Sequence, residues 1–114
     1  MYEYNAELIR IIDGDTVDCW IDLGFDIRIQ ERVRLAGIDA PETRTRDLEE
    51  KAKGFESKEW LIKALDGENT KFIIVTNNFN RTGKYGRTIG TIMLKNGTNI
   101  NELMVQEGLA TVYK

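Results

Sequence analysis

The one proline of this chain, Pro41, falls between two carboxylates at the end of the run Arg34-Leu35-Ala36-Gly37-Ile38-Asp39-Ala40-Pro41-Glu42. Proline has no N–H to give to a sheet ladder and fixes its own φ, so an apolar strand that runs into this stretch must end there. It also holds Ala40 extended, which limits where the Ala40 carbonyl can point. The chain therefore stops burying side chains here and begins to present charge. Two carboxylates and an aimed carbonyl are hard oxygen donors, the kind that calcium or magnesium takes.

Around this exit the hydrophobic pattern is mainly that of strands. Residues 4–12 alternate loosely and residues 16–23 are β-branched and aromatic, which predicts two strands. Asp13-Gly14-Asp15-Thr16 between them reads as a turn, with Gly14 free to take positive φ. Residues 27–38 predict a long third strand with Ile27, Ile29, Val33 and Leu35 buried. Residues 48–65 have helical spacing, with Leu48, Ala52, Phe55, Ile62 and Leu65 on one broad face and Trp60 at its rim. Gly67 is placed to end that helix, and Gly54 inside it costs roughly 1 kcal/mol against alanine. Strands follow at 71–76 and 88–94, separated by a polar loop over 77–87. Lys95-Asn96-Gly97 is a turn signal, and residues 100–107 predict a short helix ended by Gly108. The sum is an α+β chain, mainly β: a five-stranded OB-fold-like barrel with two helices, expected to form a single domain over 1–114.

Composition removes several chemistries. Histidine is absent, which excludes Ser-His and Cys-His nucleophilic sites and the usual zinc ligand. Cys19 is the only cysteine, so it pairs with no other in this chain and reads as a core residue. No apolar run reaches membrane-spanning length. The first residues lack the basic and apolar regions of a leader peptide, so a cytoplasmic chain is expected unless a leader was removed. The net charge of −3 hides two blocks: residues 1–68 carry 10 basic and 17 acidic side chains, whereas residues 69–101 carry five basic ones and no acid. A basic block beside an acidic one is compatible with a polyanion partner, and equally with solvated surface charge.

Three clusters could build a site: Asp13-Gly14-Asp15, then Arg34 with Asp39 and Glu42, then Gly83-Lys84-Tyr85-Gly86-Arg87. Taken singly, each has a plain reading as a turn, a solvated acid or a basic hairpin. The first is not an EF-hand loop, because Val17 and Asp18 stand where that loop wants a ligand and a glycine. Arg34 and Asp39 are five apart and would face opposite sides of a regular strand. Serving one site requires the strand to end or bulge between them, and Gly37 is the obvious place. Carboxylates gathered without histidine suit a divalent cation, and a pair of arginines suits a phosphate. Together they describe metal-assisted phosphodiester hydrolysis.

The runs Ile12-Asp13-Gly14-Asp15-Thr16-Val17, Arg34 to Glu42 and Lys84-Tyr85-Gly86-Arg87 resemble the staphylococcal nuclease (thermonuclease) family. So do Asn101-Glu102-Leu103 and Gly108-Leu109-Ala110, and the match covers nearly the whole chain in the family's order. The resemblance implies an OB-fold barrel with a Ca²⁺-dependent site that cleaves DNA and RNA at the 5′ P–O bond and leaves 3′-phosphates. Carried over by position, it implies Asp15, Asp39 and the Ala40 backbone carbonyl as calcium ligands, with Asp13 supporting them from just outside. It implies Glu42 as the acid that handles the attacking water, and Arg34 and Arg87 as the phosphate-binding arginines. Lys84 and Tyr85 match residues that contact the bound nucleotide. The expected substrate is single-stranded or flexible DNA or RNA, with no membrane partner and a monomeric enzyme. The alternative is a non-catalytic OB-fold module that binds nucleic acid or protein. This chain departs from the family at Ala40, where threonine is usual, and at Gly83, which replaces an acid. It also stops at Lys114, before the position of the prototype's third helix.

Overall fold

The computed structural model of the protein describes residues 2–76 and 88–113. In chain order these form β1 (Tyr2–Asp13), β2 (Thr16–Gly24), β3 (Ile27–Leu35), β4 (Ile38–Asp39), α1 (Leu48–Ala64), a 3-10 turn (Gly67–Thr70), β5 (Lys71–Thr76), β6 (Thr88–Met93), α2 (Ile100–Gln106) and β7 (Thr111–Val112). Strands β1-β2-β3-β6-β5 close into a barrel, with β3 and β6 parallel and the other neighbours antiparallel. This is the predicted mainly β, OB-fold-like α+β architecture with two helices. Alternation along β2 and β3 turns Val17, Cys19, Ile21, Val33 and Leu35 into the barrel, where they meet Phe72, Ile74 and Ile92. Leu61 of α1, Leu65 just past its end, and Ile100 and Met104 of α2 join the same core. Full burial of each such side chain contributes about 1.5–3 kcal/mol. Burial pushes the Cys19 thiol up to about 12, as a core cysteine requires. Among the described residues no helix is long and apolar enough to cross a membrane.

Four local expectations are corrected. The third strand does not run to residue 38: β3 ends at Leu35, Gly37 takes φ +74, and Ile38–Asp39 form a separate short strand. That strand pairs with β7, which the sequence pattern missed because two residues carry no periodicity. Ile27 is exposed, and Ile29 is only partly buried, because the β2–β3 hairpin extends beyond the rungs that β6 covers (Val33 to Leu35). In their place Glu31 faces inward and accepts a hydrogen bond from Thr88 Oγ1 at 3.1 Å.

The buried face of α1 is also different. Leu48, Phe55 and Ile62 are exposed and Ala52 faces solvent; of the predicted face only Leu65 is buried. The contact stripe is Gly54, Ser57, Leu61 and Leu65, with Trp60 packed partly against the core. Small residues let the helix backbone approach closely, which outweighs the area offered by the larger side chains. A Cβ on Gly54 would stand 2.6 Å from Glu42 O, and one on Gly14 would stand 2.8 Å from Ser57 Cβ. Gly14 is therefore required by close packing and not, as expected, by positive φ. Gly67 and Gly108 do lie in the left-handed region, at φ +58 and +73, just past the two helices.

Candidate active site

Three backbone segments converge beside the barrel: the β1–β2 turn, the β3–β4 turn and the loop leaving β4. Asp15 sits in the first and is nearly buried. Its Oδ1 accepts from Thr16 Oγ1 at 3.0 Å and its Oδ2 accepts from the Ala40 N–H at 2.9 Å. Thus the carboxylate of one segment fixes the main chain of another, with Ala40 held where Pro41 requires extended backbone. Asp13 is tied in the same way: Thr43 Oγ1 donates to its Oδ1 at 2.6 Å.

Arg34 is the last arginine of β3, and its guanidinium reaches both carboxylates. Nη1 lies 3.4 Å from Asp15 Oδ2 and Nη2 lies 3.3 Å from Asp39 Oδ1. Nη1 also donates to the Leu35 carbonyl at 3.2 Å. The break at Ala36-Gly37 makes this possible, since Arg34 and Asp39 would point apart along an uninterrupted strand. Only 16% of the Arg34 side chain is exposed, against 57% for Asp39. Sequence reasoning missed Tyr113, whose ring centre lies 5.8 Å from Arg34 Cζ. Its N–H donates to the Gly37 carbonyl at 2.9 Å, continuing the β4–β7 pairing that positions Asp39. No pattern in the sequence couples Tyr113 to Gly37; only the two-residue pairing does.

Glu42 is exposed and has no ion-pair or hydrogen-bond partner among the described residues. Its backbone is pressed against Gly54 of α1. Asn101, in the first turn of α2, locks the arrangement from below. Its amide donates to the carbonyls of Ala36 (2.9 Å) and Gly90 (3.3 Å) and accepts from the Ile92 N–H (3.2 Å). One buried side chain thereby satisfies three main-chain groups and pins the β3–β4 turn to the barrel.

The result is an open cavity of about 410 Å³, lined by Asp13, Asp15, Asp39 and Glu42 against Arg34 and Arg44. Arg44 was not among the sequence candidates; its position two residues past Glu42 is the only cue. The carboxyl set exceeds the basic set and already draws a guanidinium between Asp15 and Asp39, so its donor chemistry fits a cation. Among the described residues no three carboxylates are grouped closely enough to form a protein-only metal cage. A cation here fits as one held by few side chains, with carbonyl and water completing the shell. Lys84, Tyr85 and Arg87 lie outside the described residues.

Residues 32–114 match the family described as "Staphylococcal nuclease homologue". The chain is 34% identical over 120 residues to a Shigella flexneri protein named "Micrococcal nuclease", covering 98% of this chain and 60% of the relative. It is 30% identical over 115 residues to an "Uncharacterized endonuclease" of Escherichia coli O157:H7, covering 98% and 63%. Similarity to "Endonuclease YhcR" of Bacillus subtilis is 28% over 115 residues, covering 97% of this chain and 9% of that protein. The chain thus spans about three fifths of the length of the first two relatives. With more than two thirds of its residues inside the matched segment, the chain belongs to the staphylococcal nuclease homologue family.

Proposed function

We propose that the chain is a calcium-dependent, sugar-nonspecific nuclease. It hydrolyses the 5′ P–O bond of single-stranded or flexible DNA and RNA, leaving a 3′-phosphate and a free 5′-hydroxyl. The observation that carries this reading is the Arg34 guanidinium held between Asp15 and Asp39 in one cavity with Glu42. Asp15, Asp39 and the Ala40 carbonyl would hold Ca²⁺, with Asp13 fixing the loop that bears Ala40 through Thr43. When bound, the calcium neutralises phosphate charge and makes phosphorus easier to attack.

The side chains divide the remaining work. Glu42, which lines the cavity and has no partner among the described residues, orients the attacking water and takes its proton. Arg34, whose guanidinium lies between Asp15 and Asp39, would offer two parallel N–H donors to the phosphate. Arg87 supplies the second guanidinium, and together the two stabilise the charge that builds on the five-coordinate phosphorus. Lys84 and Tyr85 contact the bound nucleotide.

The test is cleavage of single-stranded DNA with calcium, with a chelator, and with Glu42→Gln. Cutting that is lost in both controls is expected. Equal cutting in all three rejects the assignment, and tight binding without cutting identifies a non-catalytic nucleic-acid module instead.

A further inference from the structure

Thr16 and Arg34 line the candidate site and face each other as one rung of the β2–β3 ladder. The next rung with the same outward orientation is Asp18 opposite Arg32, and Arg10 of β1 lies opposite Asp18 on its other side. Asp18 is only 4% exposed, yet it holds both arginines. Arg32 donates to it through Nε and Nη2 at 2.8 and 3.1 Å, and Arg10 Nη2 lies at 2.7 Å. The two arginines are themselves half exposed. One carboxylate cancels one of two positive charges, so this cluster keeps a net positive charge. A guanidinium has five N–H donors, so Arg32 retains three and Arg10 four beyond those used on Asp18.

The flank of the site toward α1 has the other sign. Asp47, which caps α1, and Glu49, Glu50 and Glu56 of α1 line a cavity of about 580 Å³ that adjoins Asp39 and Pro41, with Lys53 as its basic member. A polyanion that reaches Arg34 is repelled on the α1 side and drawn across the barrel.

We propose that the outer face of β1, β2 and β3 is a landing track for the nucleic acid strand beyond the scissile phosphate. Arg32 and Arg10 are its next phosphate contacts, and Asp18 is the positioning residue that holds them. The inference rests on the nuclease reading for the placement of the scissile phosphate at Arg34. Along β3, Arg34 and Arg32 are about 6.8 Å apart, two residues of an extended strand. That is comparable to the step between successive phosphates of a stretched single strand. Holding two long side chains on a buried carboxylate removes ordering cost that binding would otherwise incur.

The experiment measures binding of fluorescein-labelled dT16 by anisotropy against salt, in the Glu42→Gln background with Ca²⁺. Arg32→Gln and Arg10→Gln are made singly, so that Asp18 always keeps one arginine; Lys53→Gln removes the same charge on the acidic flank. Each arginine variant is expected to raise Kd about three- to tenfold and to reduce the slope of log K against log salt by about 0.7. Lys53→Gln is expected to leave the slope intact. Unchanged slopes in both arginine variants, or an equal drop in Lys53→Gln, overturn the track. If the arginine variants change the slope as expected but the wild-type chain cuts nothing, the nuclease reading fails, and Arg32 and Arg10 remain only as contacts of a non-cleaving binding face.

Discussion

Gly54→Ala separates what the site needs from what a helix prefers. In an ordinary helix interior this substitution stabilises by roughly 1 kcal/mol, because alanine loses less backbone freedom on folding. Here the added Cβ meets Glu42 O at 2.6 Å, Glu42 C at 2.7 Å and Pro41 O at 2.9 Å, all of them backbone atoms. Helix and loop must separate by about 0.8 Å to reach ordinary contact at 3.4 Å. Overpacking of this kind costs about 1–3 kcal/mol, so the net change in stability is about 0–2 kcal/mol destabilising. The effect on rate is larger. Glu42 is carried on the displaced segment, and a misplacement near 1 Å of a reacting group costs on the order of 10²-fold. Urea unfolding and kcat/KM on a single-stranded oligonucleotide, measured on the same preparation, separate the two. The expected result is a folded protein that has lost on the order of 10²-fold in kcat/KM. A variant that is more stable by about 1 kcal/mol and fully active would refute the packing argument.

Three further outcomes are open to direct test. Arg34→Ala and Arg87→Ala are each expected to lose about 3 kcal/mol or more of transition-state stabilisation, on the order of 10²-fold in kcat/KM; near-wild-type kinetics would make either a surface charge. Cys19, buried and with its thiol pushed up to about 12, is expected to resist alkylation at neutral pH until denaturant is added; rapid labelling of the native protein would contradict its place in the core. The hydrogen bond from Arg32 holds the Asp18 carboxyl below its ordinary value of 3.8. Its contribution to stability is therefore complete above pH 3.8 and fades as pH falls through the lower folded value. Urea midpoints should fall more steeply in wild type than in Asp18→Asn over that acid range, and parallel curves would show that the pairing is idle.

The barrel was legible because β-branched and aromatic residues over 16–23 and the run over 27–38 mark strands, although β3 ends at Leu35 and Ile27 is exposed. The strand exit was legible for a different reason: a lone proline between acids has few places to go. The need for a break at Gly37 followed from counting residues between Arg34 and Asp39, and the left-handed glycine there supplies it. The face of α1 was not legible. Hydrophobic spacing favours Leu48, Phe55 and Ile62, whereas the contact is made by Gly54 and Ser57, whose value lies in what they leave out. Ser57 also donates to the Leu109 carbonyl at 2.6 Å, a contact 52 residues away in sequence that no local pattern contains. Asn101 stood in a motif, but its three main-chain partners become visible only in three dimensions. Tyr113 and Arg44 were missed for the same reason: their positions depend on the β4–β7 pairing and on the path of the loop after Pro41.

The most direct measurement is calorimetric titration of Ca²⁺ into the wild-type chain, Asp15→Asn and Asp39→Asn, with circular dichroism to show that each is folded. If the two carboxylates share one cation, wild type binds at a single site and each variant weakens that site at least about tenfold, a change of about 1.4 kcal/mol. Binding as tight in either variant as in wild type would mean that Asp15 and Asp39 serve only to hold Arg34 and the Ala40 main chain.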